Sequence, residues 1–250
     1  MSKKNNKIIA VLLIGFLVVV VLILSELRNE IKSVTSSNQK KTEEIKTSAA
    51  NQEVEVAPLE ITLDSGTGKT FNVPITALPD LERYLEDAMD LEAELERIQV
   101  EYLDSNSSDN NYFILKYGCG NKICDLELVR IDNQNNVRIL YLTSGIFAGS
   151  EVLEEKALLR IAVNEGANVA RHQIFLIDLH TMDTLQPLNK NYEEHYFNAP
   201  LYPITEFKWL SENTIELVVA DITDISYESL EKWYKDTNPA VKKLTINLSY

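Results

Sequence analysis

Residues 98–143, IQVEYLDSNSSDNNYFILKYGCGNKICDLELVRIDNQNNVRILYLT, decide the fold class. Apolar and polar side chains alternate in four short runs, at 98–103, 112–117, 122–131 and 136–143. A period of two is the mark of a half-buried strand. Between the runs stand SNSSDNN, GCGNK and DNQNN, turn formers too few to build a crossover helix. Strands joined by such short connections pair with their sequence neighbours, so the stretch predicts a four-stranded antiparallel meander.

The alternation continues toward the C-terminus at 157–163, 171–179 and 184–188, then at 204–210, 214–222 and 243–248. A short helix is predicted at 226–235, carrying Leu230, Trp233 and Tyr234. Within the last group, Phe207-Lys-Trp209-Leu-Ser-Glu-Asn213-Thr214 runs from a strand end through a polar turn into a new strand. This resembles the blade turn of β-propellers of the Trp-Ser-Pro-Asp-Gly kind. The Pro-Asp-Gly is missing here, and three sheet units fall short of the roughly 4–8 blades of a closed ring. The resemblance implies stacked four-stranded sheets and brings no activity with it. The expected class is mainly β (α+β), with antiparallel meander sheets, propeller-like or sandwich, and one or two short helices.

Toward the N-terminus, Leu59-Glu-Ile-Thr-Leu63 alternates as a strand, and Asp64-Ser-Gly-Thr-Gly-Lys-Thr70 follows it. These residues match the tail of a phosphate-binding loop, which needs Gly-x4-Gly-Lys-Thr leading into a helix. Leu63 stands where the first glycine belongs, and Pro74 blocks the helix interior. A hairpin turn is the expectation. Pro79 and Asp80 then open the best helix of the polar part of the chain. Leu81, Tyr84, Ala88, Leu91 and Leu95 repeat at heptad spacing along it. That stripe faces a core or forms a short dimer seam with weak self-association.

At the far N-terminal end, IIAVLLIGFLVVVVLIL at 8–24 has no polar side chain in seventeen residues. As a helix it spans about 26 Å, near the lower limit for a bilayer core. Lys3, Lys4 and Lys7 precede it with no acid among them, which keeps that end cytoplasmic. The run is longer than a cleaved signal's apolar region and lacks an Ala-x-Ala site after it. The expected organisation is a cytoplasmic stub at 1–7, a membrane-spanning helix at 8–25, a polar tether at 26–53 and an extracytoplasmic β-rich domain at 54–250. The lipid bilayer is then a partner through the N-terminal helix.

The chain carries a net charge of −14, and −17 once the three lysines ahead of the apolar run are set aside. Such acidity removes nucleic acid from the partners and leaves cations, basic peptides or a polycationic protein. The two cysteines, Cys119 and Cys124, flank a turn between predicted strands. In an extracytoplasmic domain they read as a disulfide clamping a hairpin, worth on the order of 2 kcal/mol. Free thiols, a redox pair and a metal site are the alternatives; the spacing is not Cys-x-x-Cys, and a zinc site lacks further ligands nearby.

Motifs with chemical potential are few. The three histidines are His172, His180 and His195. His172 and His180 fall on one predicted strand about 26 Å apart, too far to share a metal. Glu193-Glu194-His195 sits in a predicted loop between Tyr192 and Tyr196. Asp104-Ser-Asn-Ser-Ser-Asp109 starts like a calcium loop but lacks its glycine and its closing glutamate. Ser229-x-x-Lys232 lacks the partner motifs of penicillin-recognising enzymes. No cofactor and no metal is predicted, and no catalytic residue is assigned. The expected work is binding or interaction outside the membrane, within an envelope assembly. The surface to test first is at 191–202, with Tyr192, His195, Tyr196 and Tyr202. The competing class is an extracytoplasmic hydrolase or other enzyme using dispersed carboxylates such as Asp221 and Asp224. A cleft with two carboxylates about 5–10 Å apart, one with a shifted pKa, would favour that class.

Overall fold

A computed structural model describes residues 59–248, except Asn106, Asn121, Ala167 and Asn168. The expected stub, membrane helix and tether lie outside these residues. Among the described residues no helix is long and apolar enough to cross a membrane.

The meander forms as the alternation predicts and extends further. β1 (Glu60–Asp64) and β2 (Thr70–Pro74) make a hairpin on the SGTGK turn, where Gly66 and Gly68 both take positive φ. α1 (Pro79–Glu86) and α2 (Leu91–Arg97) follow. Seven strands then pair in sequence order: β3 (Gln99–Leu103), β4 (Asn110–Tyr117), β5 (Cys124–Asp132), β6 (Val137–Leu153), β7 (Lys156–Gly166), β8 (Val169–Asp178) and β9 (Asp183–Thr184). A three-stranded antiparallel sheet completes the chain, with β10 (Ile204–Ser211) and β11 (Thr214–Ala220) beside β12 (Val241–Asn247). Between its last two strands lies α3 (Tyr227–Lys235), capped by Ser226, whose side chain accepts from Ser229 N. The architecture is mainly antiparallel β-sheet with a few short helices.

Strand period two sorts the side chains into separate cores. Phe113, Leu115 and Tyr117 of β4 face a core shared with β1, β2 and α1. Tyr112 and Ile114 of the same strand face a second core, together with Leu159 and Ile161 of β7 and Ile177 of β8. The seven-stranded sheet is therefore folded over, and its two halves face each other. Leu158, Ile174 and Leu176 emerge on the far side, against Ile204, Leu217 and Ile246 of the last sheet.

β6 makes this fold-over possible. Its first part pairs with β5 through Gly145, and its second part pairs with β7 from Ile146 onward. At the hand-over a Cβ on Gly145 would lie 2.4 Å from Ile161 Cγ2 and 3.1 Å from the Ala162 carbonyl oxygen. Only hydrogen fits there. Two residues further on, the backbone begins to bulge, between Phe147 and Ser150. The half-buried Arg160 guanidinium spans this bulge, donating to Ala148 O (2.9 Å) and to Ile204 O (2.8 Å) and Thr205 O (3.0 Å) at the start of β10.

The structure departs from the sequence expectation at four places. The predicted continuous heptad helix is two helices, because Asp90 accepts from Ala93 N at 3.1 Å and starts a new first turn. Leu91 is consequently exposed, and of the stripe only Leu81 is buried, joined in the core by Leu85 from outside it. The strand predicted to end at Thr143 runs to Leu153, since Ser144 and Gly145 serve a close crossing and not a turn. The strand at 184–188 is reduced to Asp183–Thr184, and β8 stops at Asp178, so His180 lies beyond the strand holding His172. The turn resembling a propeller blade turn is a two-residue hairpin turn, with Ser211 paired to Thr214.

Candidate functional site

Among the described residues the one fully buried acid is Glu127. β5 is covered on both faces, and Glu127 is fully buried within it. Its Oε1 accepts from the Tyr117 hydroxyl at 2.7 Å, whereas Oε2 has no hydrogen-bond partner among the described residues. Such an orphan oxygen costs about 1–3 kcal/mol, more when charged. Burial, first of all, raises the Glu127 pKa; the nearby Asp80 and Asp125 charges add to that, and the Tyr117 hydrogen bond opposes it.

The register shows what surrounds it. Asp125 is two residues before Glu127 on the same face of β5, about 7 Å away along the strand. Across the ladders, Tyr117 of β4 stands opposite Asp125, and Tyr141 of β6 stands opposite Glu127. These three neighbours line a cavity of about 430 Å³, closed from the other side by Asp80, Arg83, Tyr84 and Asp87 of α1 and its C-terminal end. Leu81 and Leu85 seat α1 on the sheet and so hold this wall in place.

Hydrogen bonds set the wall side chains. Ser144 Oγ donates to Asp125 Oδ1 at 2.5 Å, and Tyr141 Oη donates to the same oxygen at 3.4 Å. Tyr84 donates to Glu94 of α2, which also takes Arg97 at 2.7 Å. That bond to Glu94, with burial second, pushes the Tyr84 hydroxyl up to about 12. The Tyr84 and Tyr117 rings lie 5.5 Å apart, tilted at 47°. Burial, then the bond to Glu127, raises the Tyr117 hydroxyl as well. Arg83 pairs with Asp80 at 3.0 Å on the exposed rim.

The cysteines flank this site without lining it. Cys119 and Cys124 are disulfide-bonded across the β4–β5 turn, immediately before Asp125. Gly118, the first turn residue, has φ +59°, and a Cβ there would lie 3.2 Å from Asp125 Oδ2 and 3.4 Å from the Tyr84 ring. The clamp and the glycine thus fix the cavity edge.

Compared with known protein families, curated proteins and solved structures, the chain matches none.

The aromatic surface expected at 191–202 is brought together, although in helical turns and not in a loop. Residues Lys190–Tyr192 are α-helical and Glu193–Phe197 form a π turn. Ring centroids of His195 and Tyr202 are 6.0 Å apart, those of Tyr196 and Tyr202 5.5 Å, and those of Tyr192 and Tyr196 6.4 Å. Tyr196 is buried in the core of the last sheet. Its hydroxyl is pushed up to about 12, mainly by burial. His195 Nδ1 is held at 2.5 Å from Asn191 O inside the turn. Beside this cluster, His172 Nδ1 accepts from Ile204 N at 3.0 Å, and its backbone N–H donates to Tyr202 O. Burial and then the Arg160 charge lower His172 to about 4, so it is neutral and joins two sheets. These aromatics are largely packing.

Asp221 and Asp224 line a second cavity of about 450 Å³ with Ser229, Lys232 and Trp233. Asp224 accepts from the Ser229 and Ser226 hydroxyls and from Ser226 N, which lowers it to about 2. It holds the capping residue Ser226 ahead of the helix, and the Ser229 hydroxyl is bonded to it, not to Lys232. Among the described residues no three His, Cys, Asp or Glu converge as metal ligands.

Sequence reasoning missed Glu127 and the cavity in front of it. One signal was present. In Cys124-Asp-Leu-Glu-Leu-Val-Arg-Ile131 an acid occupies a strand position whose same-face neighbour Val129 is apolar.

Proposed function

We propose that residues 59–248 are the binding part of a membrane-anchored, extracytoplasmic protein whose work is recognition and not turnover. The apolar run at 8–24 with its lysines supports the anchor and its orientation. The Cys119–Cys124 disulfide agrees with an oxidising compartment. The observation that carries the reading is Glu127. Its carboxyl is sealed from solvent behind Tyr117 and outside the cavity lining, so nothing bound in the cavity touches it. A group that no substrate can touch is a poor proton donor or acceptor in a reaction.

A second reading keeps the hydrolase class. Asp125 and Glu127 stand about 7 Å apart along one strand, and the Glu127 pKa is raised, the pattern of an acid/base pair. It requires α1 to lift and expose Glu127.

Crosslinking in intact cells, comparing wild type with Asp125→Asn, tests the binding reading. A partner captured by wild type and lost in the variant supports it. Capture of no partner, together with hydrolysis of a chromogenic substrate that Asp125→Asn abolishes, would overturn it.

A further inference from the structure

We propose that the cavity between α1 and the β4–β6 face takes a single organic cation, a guanidinium or ammonium group. This rests on the binding reading and names the ligand class of the same site.

The wall carries Asp80, Asp87 and Asp125 against one cation, Arg83. Arg83 is committed to Asp80 at 3.0 Å, so Asp87 and Asp125 remain to set the sign of the field. Both hydrogen bonds to Asp125 fall on Oδ1. Behind the wall and outside the cavity lining, Glu127 is fully buried and accepts from the cavity residue Tyr117, and its Oε2 has no hydrogen-bond partner among the described residues; Asp87 and Asp125 set the sign of the field. An anion would meet this field unfavourably.

Size and arrangement decide between cations. A calcium ion needs six to eight oxygens at about 2.3–2.6 Å, and the carboxylates here do not converge in that way. They are spread around about 430 Å³, the space of a side-chain head group and not of a bare ion. The remaining wall is aromatic. Tyr117 is buried with its ring tilted against that of Tyr84, 5.5 Å away, so the partly buried Tyr84 and the exposed Tyr141 supply the accessible aromatic surface. Cations are attracted to such ring faces when partly desolvated. α1 brings Asp80, Asp87 and Tyr84 and the sheet brings Asp125, Tyr117 and Tyr141, so each wall combines carboxylate with tyrosine, the two components of a cation receptor. The same head group could arrive on a polypeptide or as a free amine.

The test titrates the full-length chain in neutral detergent with Nα-acetyl-arginine methylamide, its lysine counterpart, n-butylammonium chloride and calcium chloride. The neutral control is Nα-acetyl-citrulline methylamide, which has the shape of the arginine probe without its charge. Calorimetry should show the arginine or lysine probe binding roughly ten-fold or more tighter than citrulline, about 1.4 kcal/mol. Asp125→Asn and Asp87→Asn should each weaken it by roughly three-fold or more, with Asp224→Asn in the other cavity unchanged. Asp87 is at the exposed end of α1, so that variant keeps the test open should Asp125→Asn misfold. Tighter binding of the peptide probes than of butylammonium assigns the cation to a polypeptide, and the reverse assigns it to a free amine. Equal affinity for arginine and citrulline overturns the cation class, as does calcium binding tighter than either. A cell-captured partner lost in Asp125→Asn would then leave the binding reading standing alone.

Discussion

Glu127 sets a pH dependence whose sign follows from its burial. Its folded pKa lies above the ordinary 4.5, so the folded chain holds a proton that the unfolded chain releases. The stability it contributes is full below that ordinary value and is lost as pH rises through the raised one. Urea unfolding between pH 4 and 8 should therefore show Glu127→Gln gaining on wild type as pH rises, and an unchanged gap across that range would contradict the buried-charge account. His172 works in the opposite direction. Its pKa falls from 6.5 to about 4, so its contribution is present above 6.5 and is lost as pH falls toward 4. The full shift corresponds to about 3 kcal/mol. His172→Asn keeps an acceptor for Ile204 N and cannot titrate. It should flatten acid unfolding between pH 6.5 and 4 in the same assay.

Elements read well from the sequence where one physical signal acts alone. Strand alternation placed β3, β4 and β5 within a few residues, and the disulfide hairpin followed from two cysteines bracketing a turn. Heptad spacing between Leu81 and Leu95 was outweighed by the Asp90 cap. Ser144-Gly145 resembles a turn in composition, and only the approach of β7 explains its glycine. Gly145→Ala should accordingly destabilise by about 1–3 kcal/mol through overpacking. Ile161→Leu, which removes the clashing Cγ2, should recover part of that loss in a double-mutant cycle of denaturation midpoints. Breaking the clamp with Cys119→Ser and Cys124→Ser should cost on the order of 2 kcal/mol. It should also loosen the Gly118 edge, seen as weaker binding of the arginine probe at a temperature where both proteins remain folded.

Over the whole molecule, composition and the apolar run carried the expected compartment, while the cavity was out of their reach. Its wall comes from α1, β4, β5 and β6, and only strand register brings Tyr117, Asp125 and Tyr141 to one face. Acids are too abundant in this chain for one to stand out without that register. The anchor is testable at this scale. Deleting residues 1–25 should move the protein from the carbonate-resistant membrane pellet to the supernatant, and retention in the pellet would refute the anchor.

One consequence concerns how this protein can be divided. The seventeen residues of β6 belong to both halves of the folded sheet, with no linker between the parts that serve β5 and β7. A gene fragment ending at residue 145 would leave β5 partnered but the second core uncovered, and one starting there would lack the opposite wall. The seven strands therefore have to be inherited, transplanted or expressed as one indivisible piece.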